Sequence, residues 1–276
     1  MRTIGHTFEL MRMSWRVLMK DRELVAFPIL SGASLLVAAA VFFAAAGATG
    51  TIDRIAPGEG EAADVGGLDI ALSLGLYACG YFIVIFFNAA LVAAALERLR
   101  GGDPNVGSGL RAAAARLPQI LGWAIIAATV GLILQLARDR TDNFLGRLAL
   151  ALVGGVWAYL TFFVVPVLVA EGLGPISAIR RSGGLFRRTW GQQVTSSFGF
   201  GLVYIVAALL AFLPAAAIFA LSPLAGLVAG AVLVGLAVAT VQALEGIFKA
   251  ALYEFANGES PQGFDSGTLS DAYRAL

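Results

Sequence analysis

E-G-L-G-P-I-S-A-I-R-R-S-G-G-L-F-R-R-T-W-G-Q, residues Glu171–Gln192, lies between two long apolar runs and decides how the whole chain is read. It sets four arginines, Arg180, Arg181, Arg187 and Arg188, among Ile176, Ile179, Phe186 and Trp190. At about 100° per residue, those four apolar residues and Gly183 share one stripe of a helix, and the arginines fill the adjacent arc. A basic amphipathic segment between two lipid-length runs is expected to lie as a helix on the cytoplasmic membrane surface. Gly183-Gly184 weakens that helix and is where two short turns would part.

Outward from this stretch, runs of about 20 apolar residues recur, each long enough to cross a hydrocarbon core roughly 30 Å thick. Six are expected: 24–48, 70–96, 117–137, 145–170, 195–221 and 224–255. The last two are joined only by Ser222-Pro223. No alternation of a barrel type is present, so the backbone must be satisfied within helices. The first run follows a basic N-terminal stretch, as in a secretory signal, but at near 25 residues it exceeds the roughly 7–15 of a signal core. It reads as the first span. A fold class follows: all-α, a polytopic helical membrane protein with basic interfacial helices, one domain over 1–276 and a cytoplasmic tail at 257–276.

Composition agrees. The chain is 59% hydrophobic and 13% charged with a mean hydropathy of +0.83, whereas soluble domains carry about 25% charged residues. Net charge is only +1, yet its distribution is segregated. Fifteen basic residues fall before span one, between spans two and three, between spans four and five, and near the end of the chain, where Lys249 in the last turns of span six and Arg274 are counted. The other four, Arg54, Arg138, Arg140 and Arg147, fall in the alternate loops. By the positive-inside rule both termini are expected in the cytoplasm of a cell (plasma) membrane protein, with the acidic loop Gly50–Gly67 outside. The single Cys79 excludes a disulfide framework.

The even-numbered spans exit alike. A-A-L-E-R-L-R-G-G-D-P ends at Pro104, E-G-L-G-P at Pro175, and A-A-L-Y-E-F-A-N-G-E-S-P at Pro261. Glycine suits the left-handed helix end, and proline forbids continuation. A basic segment precedes each odd span: Phe8 to Arg22, Leu110 to Leu121, and Ile176 to Gln192. In the first, Phe8, Met11, Trp15 and Leu18 take the apolar arc, while Arg12, Arg16 and Lys20 take the basic one. The chain reads as three repeats of surface helix plus hairpin. The alternative is that any multi-pass protein has basic inner loops and Gly/Pro-marked ends.

The Trp15-Arg16 segment, A-L-E-R-L-R-G-G-D-P and I-R-R-S-G-G-L-F-R-R-T-W together resemble uncharacterised six-span prokaryotic membrane families. These are related to the membrane domain found beside glycerophosphodiester phosphodiesterases, and the nearest resemblance is to the DUF6159-like proteins. The resemblance implies a helical membrane fold and no established activity.

Catalytic parts are missing. His6 is the only histidine, so neither a zinc site nor a triad can be assembled from histidines. The glycine pairs at Gly172–Gly174 and Gly199–Gly201 lack the lysine of a phosphate loop, and the acidic outer loop lacks calcium-loop spacing. No enzyme activity, cofactor, metal or nucleic-acid partner is expected. G-x-x-x-G at Gly226 and Gly230, continued by small residues at 231, 235 and 239, points to close helix packing, with self-association as the alternative. Pro28, Pro166 and Pro214 are expected to kink or end their spans locally.

Polar residues at membrane depth are few. Gln242, Glu245 and Lys249 share one face of span six, with Glu245 and Lys249 an i, i+4 pair. Asn88 of span two is their candidate companion. Glu245 lies about ten residues before Glu254, roughly 15 Å along the axis: near the bilayer middle if the span ends there, shallower if the helix projects. Two functions remain open. One is a non-enzymatic scaffold or accessory protein at the inner leaflet, whose basic segments (Arg12, Arg16, Lys20, Arg180, Arg181, Arg187, Arg188) bind anionic lipids and seat a protein partner or a second copy. The other is a transporter or channel for an ion or small solute along the polar face of span six. Charge on only one span favours the first.

Overall fold

In a computed structural model, residues 2–56, 64–188 and 190–264 are described, with side chains described outside 2–10 and 188–202. Those residues form helices and connecting turns, without a strand. In chain order they are α1 (Arg2–Lys20), a 3-10 turn (Arg22–Val25), α2 (Ala26–Ala48), α3 (Thr51–Ile55) and α4 (Gly67–Leu99). There follow α5 (Val106–Ala114), α6 (Leu117–Asp139), α7 (Phe144–Thr161), α8 (Val164–Glu171), α9 (Pro175–Arg188), α10 (Trp190–Leu221) and α11 (Pro223–Ala256). Six helical stretches are long and apolar enough to cross a membrane: Arg22–Ala48, Gly67–Leu99, Leu117–Asp139, Phe144–Glu171, Val203–Leu221 and Pro223–Ala256. This is a multi-pass helical membrane protein with the expected six spans.

The prolines act differently, according to position. Pro166 breaks span four, which is two helices, α7 and α8, parted at Phe162–Phe163. Proline cannot donate to the carbonyl one turn back and its ring crowds that carbonyl. The backbone N–H of Phe163, freed at the break, donates to Ser182 Oγ of α9 at 2.9 Å in a buried contact. Inside lipid such a group has to find a protein partner. Pro28 sits in the first turn of α2, where its missing N–H costs nothing. Pro214 stays inside an unbroken α10, contrary to a local end there.

All three even-span exits close as expected, on glycines in the left-handed region: Gly101 (φ 90°), Gly172 (φ 66°) and Gly258 (φ 88°). Each of the three hairpins is preceded by a shorter helix, α1, α5 and α9, all at one end of the bundle, hereafter the basic end. The buried core lies in that half. It is built from Ala89–Leu99 of α4, Val241–Ala256 of α11, and Phe27, Phe163, Val167 and Leu168 around them. Towards the other end the helices keep large apolar side chains exposed, among them Leu145, Leu152, Leu221 and Leu224, as lipid contact requires.

The apolar stripes of the two long surface helices are rotated from those expected. In α9 the buried face is Ala178, Ser182, Gly183, Leu185 and Phe186, while Ile176 is exposed and Ile179 only half-buried. Trp190's side chain lies outside the described residues. Helix α9 packs on α7 and α8, and small residues face the break so that Ser182 reaches Phe163. Gly183-Gly184 does not divide it. A Cβ at Gly183 would stand 3.0 Å from Leu160 Cδ2, so glycine here permits close approach. In α1 the buried face is Met13, Ser14, Val17 and Leu18; Trp15, 46% accessible, joins Arg12, Arg16, Met19 and Lys20 on the exposed face. Phe8 lies outside the described side chains. The first eight residues of the expected tail, 257–264, fold back. The Gln262 N–H donates to the Leu99 carbonyl at 2.9 Å, and Phe264 is buried in the core. The rest lies outside the described residues.

Candidate functional site

The four polar residues singled out from spans two and six line one cavity of about 600 Å³, between α2, α4, α10 and α11. Lys249 Nζ stands 2.7 Å from Glu245 Oε1. The hydroxyl of Tyr204, from α10, donates to Glu245 Oε2 at 3.0 Å. Both carboxylate oxygens are thereby engaged. Asn88 enters from α4, half-buried, and Gln242 is exposed at the cavity wall; neither has a hydrogen-bond partner among the described residues. Amides at such positions need a partner to offset their desolvation. Most of the remaining wall is aliphatic or aromatic, including Ile29, Leu35, Leu36, Val84, Phe87 and Leu236.

The break in span four touches the polar cluster through Phe162, from whose ring centroid Lys249 Nζ lies 5.7 Å, within cation–π range. Phe162 in turn meets Phe186 of α9 edge-on at 5.7 Å. Sequence inspection missed Tyr204 and Phe162. A tyrosine inside an apolar run is the signal for the first, since its hydroxyl needs a partner when buried. For Phe162 only the nearby proline hinted at a special position.

Depth follows from length. Helix α11 has 34 residues, roughly 51 Å at 1.5 Å per residue, against a hydrocarbon core of roughly 30 Å. Counted from the Ser222-Pro223 turn, an untilted helix leaves that core after about 20 residues, near Gln242. The last turns of α11 are buried by neighbours that include α1 and α4. Counted this way, Glu245 falls at the shallower of the two depths, towards the rim of the hydrocarbon on the basic end.

At that end the three exit glutamates are tied across the hairpins. Glu97, closing α4, accepts from Ser108 of α5 at 2.9 Å. Glu171, closing α8, accepts from Arg181 of α9 at 3.0 Å and from the Tyr253 hydroxyl of α11 at 2.9 Å. Glu254, closing α11 and only 5% accessible, pairs with Arg100 beyond α4 at 2.8 Å. The hydrogen bond that Arg100 donates to Glu254 raises the pKa of Arg100 above its ordinary value. Glu171 thus ties the second hairpin to the third and Glu254 the third to the first, while Glu97 ties α5 to α4. Asp21 adds a buried pair with Arg98, which also reaches Asp103. Of the seven expected surface cations, Arg181 is therefore committed to Glu171 and to Asn257 Oδ1. Arg12, Arg16, Lys20, Arg180 and Arg187 are exposed; the side chain of Arg188 lies outside the described residues.

Residues 68–264 match the model of a family described as a family of unknown function, DUF6159. That region includes Asn88, Tyr204, Gln242, Glu245 and Lys249. No curated protein and no solved structure matches the chain.

Proposed function

We propose that this chain, which belongs to the DUF6159 family of unknown function, is a non-enzymatic membrane protein that binds and carries a small ligand in the cavity among α2, α4, α10 and α11. One observation carries this: polar groups from three helices, Asn88, Tyr204, Gln242, Glu245 and Lys249, converge on a single intramembrane cavity of about 600 Å³. Volumes of that order suit small-molecule sites, which are mostly apolar with a few placed polar groups. The choice over a scaffold role turns on this convergence, which the spacing on α11 alone left open.

The test uses proteoliposomes with a trapped pH-sensitive dye, challenged with small carboxylates and with a pH step. The expected result is a flux that the double variant Glu245→Gln with Lys249→Gln abolishes while still folding. A stable double variant with unchanged flux, or wild-type protein with no flux above empty liposomes, sinks the carrier role.

A scaffold role keeps its own support. Arg12, Trp15, Arg16, Met19 and Lys20 form an exposed stripe on α1. Cations interleaved with an aromatic suit an anionic leaflet, at about 1 kcal/mol per near-surface cation. In both cases the basic end faces the cytoplasm of the cell membrane, as the arginine distribution supports. Kinship with the membrane domain found beside glycerophosphodiester phosphodiesterases belongs to the same proposal and rests on the sequence resemblance alone.

A further inference from the structure

The cavity does not end at its polar cluster. A second depression, shallow and open to the side, shares Gly32, Leu35 and Leu36 with it and continues between α2 and α4 past Ala39, Leu76 and Gly80. A third, about 240 Å³, shares Leu76 with the second and continues past Phe42, Phe43 and Ala46. On α2, positions 28, 32, 35, 39, 43 and 46 fall on one face at spacings of three and four, as do 91, 88, 84, 80, 76 and 73 on α4. The three depressions therefore form one seam. From Pro28 to Ala46 it runs roughly 27 Å at 1.5 Å per residue, close to the thickness of a hydrocarbon core. Among the described residues, no charged one lines its two outer parts.

The polar end has a definite hydrogen-bonding character. Glu245 is satisfied by Lys249 and Tyr204. Lys249 has three N–H donors, of which Glu245 meets one among the described residues. The amides of Asn88 and Gln242 each bring two N–H donors and one carbonyl acceptor, so the excess of donors comes from Lys249. What remains unmet is rich in donors, so the complement is an acceptor-rich head. That cluster stands at the rim of the hydrocarbon, and the apolar seam runs from it into the hydrocarbon. An amphiphile already oriented in a leaflet has the same order of head and chain.

We propose that the seam binds a single-chain amphiphile with an oxyanion head, a long-chain carboxylate being the simplest, its head at Lys249, Asn88 and Gln242 and its chain between α2 and α4. This rests on the cavity being a ligand site and adds the class of ligand. The ligand enters sideways from the bilayer, since Leu36 and Val232 at the cavity wall are themselves widely exposed. Selectivity resides in the head, because lipid tails are as apolar as the seam and supply no difference in transfer free energy.

The experiment uses the full chain in nanodiscs of zwitterionic lipid. The probe is hexadecanoate with a photoreactive group at its methyl end, and labelled peptides are mapped. The expected result is saturable labelling on α2 and α4 near Phe42 and Leu76, competed by hexadecanoate and not by hexadecanol. The double variant Glu245→Gln with Lys249→Gln should weaken it about tenfold or more, the loss of a charge-assisted hydrogen bond. Gly32→Leu is the second, independent variant. A Cβ there meets nothing within 4 Å, so a side chain can be placed from this position, and the leucine should fill the seam and abolish the distal labelling. Unsaturable labelling spread over every lipid-facing helix means annular lipid only and overturns the proposal. Competition by hexanoate as strong as by hexadecanoate, with Gly32→Leu silent, also overturns it, yet leaves a small-solute cavity standing. Absence of carboxylate flux with the wild-type protein, by contrast, strikes the carrier role and not the ligand class.

Discussion

Glu245 and Lys249 are the residues on which structural and functional demands meet. Their side chains are 31% and 28% accessible, so the pair is neither fully buried nor freely solvated. Removing one partner of a fully buried pair costs about 3–5 kcal/mol; partial exposure reduces this, and we expect about 1–3 kcal/mol for Glu245→Gln, which strands the ammonium. Adding Lys249→Gln should recover most of that loss, read as the midpoint of thermal unfolding in detergent. A double variant no more stable than the single one would mean that the carboxylate does something other than balance Lys249. The i, i+4 spacing was legible in the sequence. Tyr204 as third member was not, because nothing in a linear pattern says which helix stands opposite.

Among the elements, α9 is the one whose role changed most between sequence and structure. Its arginine pattern suggested a helix resting on lipid, whereas its small residues Ala178, Ser182 and Gly183 seat it on the broken fourth span. Ser182→Ala should therefore leave the Phe163 N–H unpaired and cost about 1–3 kcal/mol, again as a lowered unfolding midpoint. An unchanged midpoint would show that Phe163 has another acceptor. Replacing Arg180, Arg181, Arg187 and Arg188 together by Gln removes the Glu171–Arg181 tie as well as surface charge. Lower yield or mixed orientation after insertion, together with reduced stability, is the expected outcome. Unaltered insertion and stability in both detergent and anionic bilayers would reduce the segment to a solvated helix. Helix α1 carries the same lesson: alternation of apolar and basic residues gave a helix, while the choice of buried stripe fell to Met13 and Val17 rather than Trp15.

For the molecule as a whole, orientation is the prediction with the clearest readout. Cysteines placed at Glu61 and at Ser270, in a Cys79→Ser background, should be labelled by an impermeant reagent on intact cells at position 61 and not at 270. The reverse pattern would overturn the assignment of the basic end to the cytoplasm. Composition and periodicity by themselves determined the helical membrane class, the six spans and the three glycine-closed exits at Gly101, Gly172 and Gly258. They did so because the bilayer allows few ways to satisfy a backbone, and because left-handed helix ends demand glycine. Tertiary structure alone decided that Glu171 and Glu254 tie the third hairpin to the second and the first, and that α9 mends the break at Phe163. It alone brought Asn88 and Tyr204 to the Glu245–Lys249 pair beside an apolar seam. Those outcomes depend on which side chains stand opposite one another once the helices pack, and spacing along one helix carries no information about its neighbours.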